Sequence, residues 1–141
     1  MTGFNHTLAG CLIAVIVPAP LAPAAAFASH FLLDAMPHFG RDAAFKPYNR
    51  NFVMLLIFDA ILCFGALGLG LKLFPDHWQL IVVCTFLATL PDFMWLLRGR
   101  ADWLKGFFRF AGWVQWGERP WGWMLEIIYG CLMTGLLFSL A

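Results

Sequence analysis

Apolar residues run almost unbroken through five stretches of the chain, about 4–17, 21–36, 53–71, 78–97 and 122–141, parted by prolines or charged residues. Each stretch predicts a helix. The last three are long enough to span a bilayer. The first two are short: 14 residues, as in 4–17, at ~1.5 Å each give about 21 Å against a hydrocarbon core of about 30 Å. "PAPLAP" at 18–23 joins them with three prolines, which predicts a tight helical hairpin crossing only part of the membrane.

A different pattern fills 102–117. Asp102, Lys105, Arg109, Gly112, Gln115 and Arg119 recur at steps of three and four, while Trp103, Leu104, Phe107, Phe108, Phe110 and Trp113 take the positions between. The spacing predicts an amphipathic helix in the membrane interface, its aromatic rings in the headgroup layer. The expected fold is therefore all-α: one integral membrane domain over 1–141, a polytopic bundle of four or five transmembrane or re-entrant helices plus this interfacial helix.

Composition agrees, because 62% hydrophobic residues, 12% charged residues and a mean hydropathy of +0.77 lie outside the range of an ordinary soluble domain. The expected partner is membrane lipid. A net charge of +1 gives no reason to expect nucleic acid. Cys11, Cys63, Cys84 and Cys131 each stand alone in apolar surroundings, without a C-x-x-C pair, and read as small hydrophobes. "AAAFAS" has the small residues of a signal-peptidase site, but no Lys or Arg precedes it, so a cleaved signal is not expected.

Basic residues set the expected orientation. Arg41, Lys46 and Arg50 fall in one loop, Arg98, Arg100, Lys105, Arg109 and Arg119 in another, and Lys72 alone lies opposite. The positive-inside rule makes both loops and the N-terminus cytoplasmic and the C-terminus external.

The ionisable residues inside the apolar stretches carry the chemistry. His6, His30, Asp34, Asp59, Asp92 and Glu126 all come within about 10 Å of the predicted cytoplasmic boundary, at ~1.5 Å per residue. Carboxylates left unpaired there would be costly, each by roughly 2.5 to 3.5 kcal/mol near mid-bilayer. No Lys or Arg lies deep in a segment to neutralise them. One or two divalent cations, zinc or manganese, would offset the charge and give the histidines a role as neutral imidazole ligands. His30 and Asp34, at i and i+4, share a helix face and can reach one metal centre. His38 follows Pro37, which ends the helix, and so belongs at the rim.

"NHTLAG", "ASHFLLDAMPHFG" and "ATLPDF" resemble motifs of bacterial inner-membrane proteins described as metal-dependent hydrolases, the YdjM-like group. More distantly, the His-x-x-x-Asp pair is similar to metal-binding helices of the zinc-dependent phospholipase C and P1 nuclease family. The resemblance implies His6, His30, Asp34 and Asp92 as ligands. Three departures accompany it: "LPDFMW" lacks the D-H continuation, no T-H-S motif occurs, and the P-D motif follows the S-H-x-x-x-D helix instead of preceding it. By depth and residue type, Asp59 and His38 are the candidates to complete the ligand set.

The expected activity is hydrolysis of phosphoester bonds in a lipid or lipid-like substrate. Asp34 or Asp92 would orient the attacking water, and Arg41, Lys46 and Arg50 at the rim would receive an anionic substrate. Three other readings use the same residues. A non-enzymatic subunit would hold a haem or pigment on His6 and His30. A scaffold would use the polar cluster as helix-linking ion pairs, loop arginines folding back. A small metal-ion transporter would need polar residues continuing to the far side, where only Thr85, Thr89 and cysteines interrupt the spans. No G-x-S-x-G elbow, P-loop or dinucleotide fingerprint occurs, and Ser29 cannot pair with the adjacent His30 on a helix.

Overall fold

Helix α1, Gly3–Ile16, is apolar nearly all round, and it is enclosed by α2 (Ala22–Ala35), α3 (Arg50–Leu73), α4 (Trp78–Met94) and α6 (Trp123–Leu140). The computed structural model describes residues 1–40 and 49–141. Its all-α architecture is the one the hydropathy pattern predicts, and the helix ends fall within a few residues of the predicted ones. Among the described residues, three helices are long and apolar enough to cross a membrane: Arg50–Leu73, Pro75–Met94 (a 3-10 turn leading into α4) and Trp123–Leu140.

Helix α3, 24 residues long, extends about 36 Å at ~1.5 Å per residue. Only Ala66 and Gly70 of its described residues are buried, while Met54, Ile57, Phe58, Ile61 and Phe64 stand exposed. Such a surface suits hydrocarbon. The core lies around α1 instead, where Leu8, Leu12, Ile81, Ala88 and Leu137 pack together. Helices α1 and α4 approach backbone to backbone: a Cβ on Gly10 would stand 2.6 Å from the Thr85 Cα, so only glycine fits.

The turn after α1 carries the predicted prolines, and α2 starts with Pro23 in its first turn, where a missing N–H costs nothing. Both helices are 14 residues long, as the hairpin reading requires. The chain alternates direction, so the N-terminal ends of α1 and α6 and the C-terminal ends of α2 and α4 gather at one end of the bundle. That end holds the polar residues.

A cover closes it. After α4, short 3-10 turns at Trp95–Leu97 and Asp102–Leu104 lead into α5 (Lys105–Val114) and a 3-10 turn at Gln115–Gly117. Together the last three elements occupy the interval predicted for the interfacial helix. Leu104, Phe108, Ala111 and Val114 face inward, and Trp103, Trp113 and Trp116 face out. The cover is fastened by a parallel pair of two-residue strands, β1 (His38–Phe39) and β2 (Glu118–Arg119), with His38 opposite Glu118. Trp121 and Trp123 add two more exposed indoles at this end, the aromatic belt of a membrane interface.

Candidate metal centre

Three side chains from α1 and α2 converge beneath the cover. Among the described residues, His6, His30 and Asp34 each bring one ligand atom to within 4.8 Å of the others, and all three are buried. The His6 Nε2 lies 3.2 Å from Asp34 Oδ1, and the His30 Nε2 lies 3.3 Å from Asp34 Oδ2. The two imidazoles stack, centroids 4.1 Å apart and planes 21° from parallel.

Local structure fixes the roles of the nitrogens. His30 Nδ1 is 2.8 Å from the Ala88 carbonyl, which can only accept, so Nδ1 carries the proton. The proline at 91 removes the N–H that would bond the Leu87 carbonyl, loosening α4 within a turn of this contact. In neutral His30 the Nε2 lone pair then faces a carboxylate oxygen. Two acceptors at that distance call for a proton or a cation between them. His6 lacks even that bond, since both its ring nitrogens are buried without a hydrogen bond. Leaving such groups unsatisfied costs about 1–3 kcal/mol, which a bound cation would return.

Asp34 has other partners. The Met1 amino group donates to Oδ1 at 2.6 Å, and Gln115 Nε2 donates to Oδ2 at 3.1 Å from the cover. A positive group is thus already accommodated at this carboxylate. Two imidazole nitrogens and a carboxylate, with the His30 tautomer set by a backbone carbonyl, form a group that could hold a metal ion. The residues fit a divalent cation.

The remaining sequence candidates are distributed differently. Asp92 stays just outside the group, its Oδ1 3.8 Å from His30 Nε2 and its side chain 39% exposed. Asp59 is not brought to the histidines: its two oxygens accept from the Gly3 and Phe4 amides at 2.8 and 3.0 Å. Thr2, the N-cap residue of α1, makes no side-chain cap, so α3 supplies the acceptors for amides that the helix cannot satisfy itself. His38 is buried in β1 and donates Nδ1–H to the Met36 carbonyl at 2.8 Å; burial pushes its imidazole below the ordinary value. It holds the cover's edge and is not in the ligand group. Arg50 opens α3, exposed, nine residues before Asp59 and so about 13 Å along the axis. Arg41 and Lys46 lie outside the described residues.

Sequence reasoning missed Gln115 and Asn5 as participants and the task of Glu126. Gln115 sits on what reads as the solvated stripe of an amphipathic helix, yet it turns inward to Asp34. Glu126 was seen as a buried acid, but its task is to accept from the Thr2 and Phe39 amides at 3.3 and 3.0 Å, tying α6 to α1 and β1. Asn5, which the pattern gives no reason to single out, bonds the Glu126 carbonyl at 3.1 Å.

The geometry also bears on the competing readings. With their rings stacked face to face, His6 and His30 leave no gap for a macrocycle between them. Arg98 stacks on Trp95, 4.8 Å from its centroid, and Arg119 bonds the Trp116 and Glu118 carbonyls, so neither turns back to the acids. Thr85 and Thr89 spend their hydroxyls on carbonyls of their own helix, away from any polar path. Compared with protein families, with curated proteins and with solved structures, the chain gives no match.

Proposed function

We propose that the protein is a membrane-embedded metal-dependent hydrolase of phosphoester bonds in a lipid or lipid-like substrate. The observation that carries this reading is His6: fully buried, with neither ring nitrogen hydrogen-bonded, it stands beside Asp34 and stacks on His30. A divalent cation, zinc or manganese, held by His6, His30 and Asp34 would polarise a phosphoryl oxygen and make water acidic enough to attack at neutral pH. Asp92, near His30 yet accessible, is the carboxylate that orients the attacking water. Gln115 holds the Asp34 carboxylate in place. Arg41, Lys46 and Arg50 receive the anionic group. The resemblance to the YdjM-like hydrolases supports the same assignment, with the polar end cytoplasmic by the positive-inside rule.

The test is elemental analysis of detergent-purified protein followed by release of phosphate or headgroup from phospholipid, before and after chelation. Roughly one or two metal ions per chain and chelator-sensitive turnover are expected. Identical activity and melting temperature with and without chelator, in protein free of metal, would overturn the proposal.

A further inference from the structure

Helices α3 and α6 and the start of α1 line a groove of ≈ 790 Å³. The volume falls in the range of small-molecule sites. Its walls are apolar, with Phe4, Leu55, Phe58, Leu62, Ile127 and Cys131 among them. Its polar residues include Asn5, which precedes His6 in α1, together with Asp59 and Glu126. Two of its walls, α3 and α6, belong to candidate membrane spans, whose outer faces suit hydrocarbon.

The polar residues have a definite chemical bias. Asn5 is fully buried and its amide nitrogen is used, bonding Thr2 Oγ1 and the Glu126 carbonyl, while its Oδ1 has no hydrogen-bond partner. Beside it stand two carboxylates, which only accept when ionised. A donor on a ligand head would satisfy Asn5 Oδ1, beside the hydroxyl of Thr2 and the indole of Trp123 in the same lining.

We propose that the α3–α6 groove binds the chain of a membrane lipid whose headgroup carries O–H or N–H donors, with those donors at Asn5 Oδ1, Asp59 and Glu126. As the substrate class for the proposed hydrolase, this rests on that reading; as a binding site it stands on the groove alone. The chain enters laterally, and the head lies one residue along α1 from the metal ligands. A lipid bound this way need not leave the bilayer.

The experiment uses full-length protein in nanodiscs containing phosphatidylethanolamine with a diazirine near the end of one acyl chain. After irradiation, adducts on peptides covering 55–62 and 127–134 should exceed several-fold those on the exposed α4 residues Val82, Val83 and Phe86, which face lipid outside the groove. Cys131→Trp, or Thr134→Trp where the first is poorly folded, should remove most of the groove adducts. Unlabelled phosphatidylethanolamine should compete several-fold better than phosphatidylcholine, whose quaternary nitrogen has no N–H. Even labelling of all lipid-facing helices, or equal competition by the two lipids, would overturn the inference. Groove labelling in a protein that proves metal-free and inactive would uphold it and sink the hydrolase alone.

Discussion

His30 lies one helical turn before Asp34, and with its Nδ1 proton committed to the Ala88 carbonyl it directs Nε2 at the Asp34 carboxylate 3.3 Å away. The pair thus links α2 to α4 and leaves a lone pair facing an anion. His6 repeats the arrangement from α1 without any bond to fix its ring. A cation answers both at once.

His6→Ala and His30→Ala should each reduce metal content of the purified protein by an order of magnitude or more. His77→Ala should leave it unchanged, because His77 ends the 3-10 turn between α3 and α4, at the opposite end of the bundle. Metal-to-protein ratios across the three variants check this. Equal effects would separate the metal from the buried centre.

Metal uptake should release protons and weaken as pH falls. Imidazoles bind a cation only when neutral, so acidification makes protons compete with the ion at His30, whose Nε2 faces the Asp34 carboxylate. Titrating zinc into metal-free protein in two buffers of different ionisation enthalpy would show the released protons. An affinity that is constant from neutral to mildly acidic pH would argue against histidine ligands.

How far these features could be read beforehand depends on the range of the signal. The spans were legible because a bilayer demands long apolar runs, and the His30–Asp34 face because i and i+4 spacing is local geometry. Shared depth brought His6 and Asp92 to the same end of the bundle. Depth alone could not tell Asp59 from a ligand. Its assignment to the α1 amides depends on Thr2 making no cap, a matter of how α1 and α3 meet. Gln115 was equally hidden, since a polar residue on an interfacial helix gives the same pattern whether it meets headgroups or a buried carboxylate.

Asp59→Ala should therefore cost stability and not metal. Loss of the acceptors at the α1 N-terminus is expected to destabilise by roughly 0.5–2 kcal/mol, as for other N-cap deletions. A lower melting temperature with unchanged metal-to-protein ratio is the expected result. Metal loss would return Asp59 to the ligand set.

The cover is held close by a glycine. A Cβ on Gly122 would stand 2.1 Å from the His38 carbonyl carbon, against backbone that cannot swing aside. Gly122→Ala should push the cover from β1 and destabilise by about 1–3 kcal/mol, the usual cost of overpacking. Gln115→Ala tests the cover's other contact, with Asp34. Freed of its donor, Asp34 should bind metal about 10- to 100-fold more weakly, measured by competition with a metal-chelating dye.

Asp92→Asn separates the chemistry from the ligation. Asp92 is 3.8 Å from His30 Nε2 and its side chain is 39% exposed, so any ion pair with a protonated His30 is solvent-screened. Its removal should therefore change the stability of metal-free protein by less than about 1 kcal/mol. The asparagine keeps the volume but cannot take a proton from water. Turnover should fall by about 10²–10⁴-fold, the usual contribution of a general base, while metal content and melting temperature stay near those of the parent protein. Parallel loss of metal and activity would instead make Asp92 a fourth ligand. A large loss of stability in the metal-free variant, with metal binding intact, would make it a structural partner of His30 and favour a scaffold over an enzyme.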